Sequence, residues 1–375
     1  MHSPGRPPRR TAPVRSGLVV VLAVALTVLG LVVASRAIGP AARPTLGSAA
    51  PATTAAVPRT SPAPRTSPPA AQITLAFAGD VHFEERVGTR LTADPASAFA
   101  EAASQLRAAD LTMVNLETAI TERGTAEPKS FTFRAPASAF TALRSAGVDV
   151  AALANNHAAD FGVVGLRDTL EAVAATRFPT VGIGADAARA YAPHYVDVRG
   201  HKVALLAASQ VRDRTLAAWT AGETTPGIAS ASDDRLVTAV RQARQRAEIV
   251  VVYLHWGVEG QSCPSAAQRA LAARLAGAGA DAVVGTHSHL LLGSGFLGDT
   301  YVAYGLGNYL WWRDGAYSND TGVLRLTFRG RKVVDARLAP ARIDQRGVPV
   351  PATGDTAARI TKKWTDLRGC ADLAG

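Results

Sequence analysis

The chain contains eight histidines, and five of them stand at the ends of short apolar runs. "ITLAFA" runs into Asp80 and His82, and "VDVAALA" into Asn155, Asn156, His157 and Asp160. "IVVVYL" runs into His255 and Glu259, and "ADAVVGT" into His287 and His289. Two further runs, "LTMV" and "YVAYGL", lead into Asn115 with Glu117 and into Asn308. Each residue has an ordinary explanation when taken singly: a turn cap, a solvated acid, or a histidine bonded to a carbonyl. Six coincidences of the same kind weaken that explanation. Seven of these side chains, Asp80, His82, Glu117, Asn156, His255, His287 and His289, offer imidazole, carboxylate and amide donors without thiolate. That donor set favours Mn, Fe, Zn or Co over Ca or Mg. Seven ligands are too many for one tetrahedral ion and suit two divalent cations that share a carboxylate. Such a pair polarises a phosphoryl oxygen and supplies hydroxide at neutral pH.

The intervening segments explain how residues so far apart in the chain can meet. Strand-like runs alternate with helix-like ones, among them "ASAFAEAASQLRAA", "ASAFTALRSAG" ending at Gly147, "VVGLRDTLEAVAATR" and "PSAAQRALAARLAGAG". The alternation predicts an α/β fold with largely parallel strands, and the carboxyl ends of parallel strands share one edge, where ligands bind. "HYVDVRGHKVALLAAS" predicts a hairpin at Arg199–Gly200, so His194 and His201 read as structural. The C-terminal stretch, from "TYVAYGLGN" through "TGVLRLTFRGRKVVDARLAP", alternates polar and apolar residues in antiparallel style.

The formal charge of +10 suggests a nucleic-acid partner until it is located. Residues 1–79 carry eight of the 40 basic residues and no acid, leaving 32 basic against 30 acidic residues beyond them. The basicity therefore belongs to the N-terminal tail, and the body lacks the concentrated basic face that nucleic-acid binding needs. Residues 1–16 read as a basic cytoplasmic tail. Residues 17–38 are long and apolar enough for one transmembrane signal anchor, and the arginines before them predict a cytoplasmic N-terminus with the remainder outside the cell. A cleaved, secreted form is the rival reading. Residues 39–71, rich in Pro and Ala, read as a disordered linker. Residues 72–345 form the predicted domain, and 346–375 a C-terminal tail packed on it. In an exported chain, two cysteines predict a Cys263–Cys370 disulfide.

The stretches "FAGDVHF", "VNLETAI", "LANNHAADFG", "YLHWGVEG", "VVGTHSHLL" and "YGLGNYLW" together resemble the CapA family of capsule proteins, within the calcineurin-like metallophosphoesterases. They run in the family's order over residues 75–312. The resemblance implies a four-layer αββα sandwich with a two-metal centre at the strand ends. It implies that Asp80, His82 and His289 hold one metal, that Asn156, His255 and His287 hold the other, and that Glu117 bridges them. His157 becomes a proton donor or transition-state stabiliser, oriented by Asp160, while Asn115, Asn155, Glu259 and Asn308 support the ligands. The chain departs from the pattern at His82, where many relatives carry a bulky apolar residue. It also has Glu117 in place of an Asp, and Ser288 where many relatives have Pro.

Three functions follow from this reading. The first is a membrane-anchored, extracytoplasmic phosphoesterase of capsule or poly-γ-glutamate synthesis, acting on an anionic phosphoester or polymer. The second is a polymer-binding or assembly subunit of a capsule synthesis complex, without hydrolysis. The third is a secreted nucleotidase or phosphodiesterase.

Overall fold

A computed structural model describes residues 72–313, 315 and 317–375. The predicted cytoplasmic tail, membrane anchor and linker lie outside the described residues, and among those described no helix is long and apolar enough to cross a membrane.

The strands that carry the site are, in chain order, β1 (Gln72–Val81), β2 (Leu111–Leu116), β3 (Val150–Ala152), β4 (His201–Ser209), β5 (Ile249–His255), β6 (Ala282–Thr286) and β7 (Asn308–Leu310). They are divided between two mixed sheets. In the first, β1 pairs in parallel with β2, β2 with β3, and β3 with Thr180–Val181. Its other side is the long antiparallel hairpin Asp320–Arg329 with Lys332–Ile343, and β7 lies parallel to the end of β1. In the second sheet β4, β5, β6 and Thr300–Ala303 are parallel neighbours, and His194–Val198 closes one edge by the predicted hairpin onto β4. The turn places Arg199 and Gly200 at φ +51° and +87°, the left-handed pair that matches strand twist in a two-residue hairpin.

Alternation along β4 shows how the sheets are covered. Val203, Leu205 and Ala207 share a buried cluster with Leu75 and Phe77 of β1. Ala204, Leu206 and Ala208 instead meet Leu236 and Val240 of helix Asp234–Arg244 and Leu271 and Leu275 of helix Ala266–Ala278. The second sheet therefore faces the first on one side and helices on the other. Across the interface the Phe77 and Tyr253 rings sit 6.4 Å apart, and the buried Tyr253 hydroxyl donates to the Ala78 carbonyl at 2.5 Å.

Several local expectations change. The predicted helix in "ASAFAEAASQLRAA" breaks into 3₁₀ turns at Pro95–Ser97 and Ala100–Ala102 and a four-residue helix at Ala103–Leu106. Ala100 takes φ +42°, and burial of Phe99 edge-on to Phe83 overrides the helical preference of the alanines. The antiparallel reading of the C-terminal part holds for Asp320–Ile343. It holds on one side of Thr300–Ala303, which pairs antiparallel with Ser294–Leu297 but parallel with β6, and it fails for Asn308–Leu310, which runs parallel to β1. Residues 349–351 add an edge strand, and helix Gly354–Asp366 buries Ile360 and Trp364. The Cys263–Cys370 disulfide is present, with its Cα atoms 5.7 Å apart.

Candidate metal centre

Asp80 sits at the carboxyl end of β1, beside a register shift that lets the strand run against the Gly307 segment. A Cβ at Gly79 would lie 1.9 Å from the Gly307 carbonyl oxygen, so no larger residue fits there without moving backbone. The Asp80 N–H donates to that same carbonyl at 2.9 Å. Glu117 follows β2, with its N–H bonded to the Val81 carbonyl. Asn155–Asp160 follow β3, and His255 is the last residue of β5. His287 and His289 follow β6 in the left-handed region, at φ +90° and +58°. For residues with a Cβ that conformation costs energy, and such strain gathers at functional sites.

These ends converge. Single ligand atoms from Glu117, His255 and His287 lie within 4.8 Å of one another, as do those from Asp80, Glu117 and His289, and from Glu259, His287 and His289. The amide of Asn156 joins them, its Oδ1 lying 2.7 Å from His255 Nε2. The supporting asparagines fix the orientation of this group. Asn115 donates to Asp80 Oδ1 at 2.8 Å and approaches His255 Nδ1 at 3.1 Å. Asn155 donates to Asn115 Oδ1 and to the Leu116 carbonyl, and its own Oδ1 accepts the His157 N–H. Asn308 Oδ1 lies 2.8 Å from His289 Nδ1, which leaves Nε2 of that ring free, the arrangement in which metal-binding histidines are held.

Burial sets the charge state. Asp80, Glu117 and His255 are almost wholly inaccessible. Burial and the nearby Asp80 charge push the Glu117 carboxyl well above its usual range. Burial alone would raise Asp80 too, but the hydrogen bond and charge of His289 with the charge of His255 bring it down to about 2. Burial works against the protonated form of His289, yet Asp80 and Glu117 win and raise it to about 9. Burial lowers His255 to about 4 and His287 well below its ordinary value. Metal binds neutral imidazoles and carboxylates, so His255 and His287 are already in the ligating form, whereas Glu117 and His289 give up a proton when it binds.

Both Glu117 oxygens lack a hydrogen-bond partner, although His255 Nε2 is 3.3 Å from Oε1. His287 Nδ1 also lacks one. A buried carboxylate with two unsatisfied oxygens is costly unless a cation stands against it. The residues therefore fit divalent metal.

His157 forms a wall of the pocket. Its Nδ1 is 2.5 Å from Asp160 Oδ2 and its Nε2 is 3.9 Å from Glu117 Oε1. Asp160 also accepts from the Phe133 N–H and from Lys129 Nζ, each at 2.7 Å. Burial raises the Asp160 carboxyl to about 6 against the opposing pull of Lys129. Burial, followed by the Lys129 charge, holds the His157 imidazole well below its ordinary value. The neutral ring donates Nδ1–H to Asp160, so its Nε2 accepts a proton instead of giving one.

His82 stands apart from the three triads. Its ring stacks on Phe133 at 4.5 Å and meets Trp311 edge-on at 4.3 Å. Its Nδ1 accepts the Glu84 N–H at 3.1 Å, which puts the proton of the neutral ring on Nε2, a buried atom without a partner. Ligation by His82 through Nε2 requires giving up the Glu84 bond.

Residues 74–311 match the family described as bacterial capsule synthesis protein PGA_cap. The chain belongs to that family. It is 28% identical over 297 residues to the PGA biosynthesis protein CapA of Bacillus subtilis, covering 77% of this chain and 76% of that one. It is 32% identical over 216 residues to the capsule biosynthesis protein CapA of Bacillus anthracis, covering 56% of this chain and 52% of that one. Among solved structures it is similar to a phosphatase from Mycoplasma pneumoniae at 13% identity and a TM-score of 0.46, over 73% of this chain and 94% of that one.

Sequence reasoning missed four residues of this family member's site. Lys129 reaches Asp160 and the Asn156 carbonyl. Phe133 stacks on His157 at 3.9 Å, Trp311 lies 4.6 Å from His289, and Thr286 Oγ1 is 3.1 Å from His255 Nδ1. Trp311 and Thr286 lie within the quoted motifs "YGLGNYLW" and "VVGTHSHLL" and could have been found there. Lys129 and Phe133 lie in an irregular loop whose residue types carry no spacing signal.

Proposed function

We propose that this chain is a metal-dependent phosphoester hydrolase of the four-layer αββα metallophosphatase type, working outside the cell in the synthesis of an anionic, poly-γ-glutamate-type capsule polymer. Membership of a capsule synthesis family supports the pathway. The observation that carries the chemistry is the buried, unpartnered Glu117 carboxylate shared by two ligand triads. Asp80, Glu117 and His289 would hold one divalent cation, and Glu117, Asn156, His255 and His287 the other. The cations supply Lewis-acid polarisation of a phosphoryl group and a lowered pKa for attacking water. Asp160 fixes the His157 ring, so that Nε2 faces the pocket and takes up a proton there. Phe133 and Trp311 cover the histidine rings and keep bulk water from them.

The anchor at residues 17–38 would tether the domain to the outer side of the membrane, close to the polymer's site of synthesis. A second reading, a polymer-binding or assembly subunit without turnover, draws on the names of the Bacillus relatives, which speak of biosynthesis and not hydrolysis.

Full-length protein purified in detergent, loaded with Mn and given a panel of phosphomonoesters and phosphodiesters, tests the first reading. Turnover abolished by Asp80→Asn is expected. Metal binding without turnover of any ester selects the second reading.

A further inference from the structure

Resting on the metal-centre reading above, we propose that Glu259 is a third carboxylate ligand of the centre, placed at its solvent-facing mouth by the disulfide-pinned loop 257–263. Its carboxylate lies within 4.8 Å of ligand atoms of both His287 and His289, an N,N,O set suited to a divalent transition metal. His287 is 4% exposed and its Nδ1 has no partner. Glu259 itself makes no hydrogen bond or ion pair among the described residues.

The loop that carries it is anchored at several points. At its start the Trp256 indole donates to the Tyr304 carbonyl at 2.9 Å. Gly257, at φ +95°, packs so closely on Gln268 that a Cβ there would meet the amide at 2.7 Å. The Gly260 N–H donates to the Ser288 carbonyl at 3.0 Å, joining the loop to the turn between the two histidines. Cys263 then binds the loop to Cys370, and Ser265 opens the next helix with a capping box. An exposed glutamate on a free loop would sample many positions, whereas this one is held over the pair of histidines. The disulfide is thereby a part of the metal site, although neither sulfur touches it.

The test uses full-length protein in detergent, stripped with chelator and titrated with Mn(II) and with Co(II). Calorimetry and elemental analysis give affinity and stoichiometry, and Co(II) absorption reports coordination. Glu259→Gln, an isosteric change at an exposed position, is expected to weaken one bound ion at least tenfold, on the order of a lost supporting contact or more, and to change the Co(II) spectrum. Glu259→Asp should restore part of the affinity, and the exposed-acid control Asp299→Asn should behave as wild type. Cys263→Ser with Cys370→Ser should weaken the same ion. Unchanged affinity, stoichiometry and spectrum in Glu259→Gln overturn the assignment, as does wild-type protein that binds neither metal. Unchanged affinity in the double serine variant overturns the role of the disulfide. Wild-type protein that binds metal but hydrolyses no ester would sink the hydrolase reading and leave the Glu259 assignment to be decided by the titrations.

Discussion

Replacing both cysteines by serine should lower the stability of the domain by an amount the topology allows one to work out. The bridge closes a loop with a sequence separation of 107. Chain-entropy reasoning for a loop of that length gives about 16 cal/mol/K, or about 4.8 kcal/mol at 25 °C, lost when the unfolded chain is released from the constraint. Native disulfides removed from other proteins cost about 2–5 kcal/mol, so the figure sits at the upper end. The folded state should survive the change. The C-terminal segment keeps its other contacts, including Ile360 and Trp364 in the core, the Phe296–Ala374 pair, and Arg269 on the Cys370 carbonyl. With an unfolding entropy of about 2.1 cal/mol/K for each of roughly 300 residues, the loss corresponds to a fall in Tm of about 8 °C. Differential scanning calorimetry of metal-free wild type and the double variant measures it. A fall below about 2 °C with a single transition would refute the reasoning. An early, separate transition would show that the C-terminal segment unfolds as its own unit.

Other outcomes can be checked in the same protein. Glu117→Gln should leave the metal-free domain within about 1 kcal/mol of wild type, because burial already favours the protonated carboxyl there. The same change should weaken metal binding, so thermal unfolding should differ from wild type mainly when Mn is present. Lys129→Met leaves Asp160 buried without its ammonium. Because that carboxyl already titrates at about 6, it can take up a proton, and the expected cost at pH 7 is about 2 kcal/mol by denaturant unfolding, below the 3–5 typical of a trapped charge. The Asp80–His289 pair should contribute its full stabilisation to the metal-free domain between roughly pH 4 and 6.5. Asp80 falls from 3.8 to about 2, so its contribution is full above 3.8 and lost as pH drops through 2. His289 rises from 6.5 to about 9, so its contribution is full below 6.5 and lost as pH climbs through 9. A stability profile that keeps rising from pH 6.5 to 9 would contradict this pairing.

Much of the fold was legible because β-strands and helices leave different periods in the chain, and because parallel strands put their carboxyl ends on one edge. The strand ends at Asp80, Asn115, His255 and Asn308 and the hairpin at Arg199–Gly200 carried that signal. The helix expected after Pro95 failed because propensity is a small term beside burial of one aromatic ring. The parallel pairing of Thr300–Ala303 and Asn308–Leu310 was missed because alternation does not encode strand direction. His82 shows the limit at the site. Its type and its D-x-H spacing suggest a ligand, while the structure engages its Nδ1 with the Glu84 N–H and leaves its buried Nε2 without a partner.

By itself, the sequence determined which side chains stand at strand ends, since residue type and local period are properties of neighbouring positions. It likewise determined that two cysteines and a basic, then apolar, N-terminal stretch accompany them. Only the tertiary structure decided which donors share a pocket, that both Glu117 oxygens lie there unpartnered, and that Lys129 backs the His157–Asp160 pair. It alone brought Glu259 over His287 and His289. Distances between residues far apart in the chain, and the desolvation that sets their charge, arise only when two sheets close over one another.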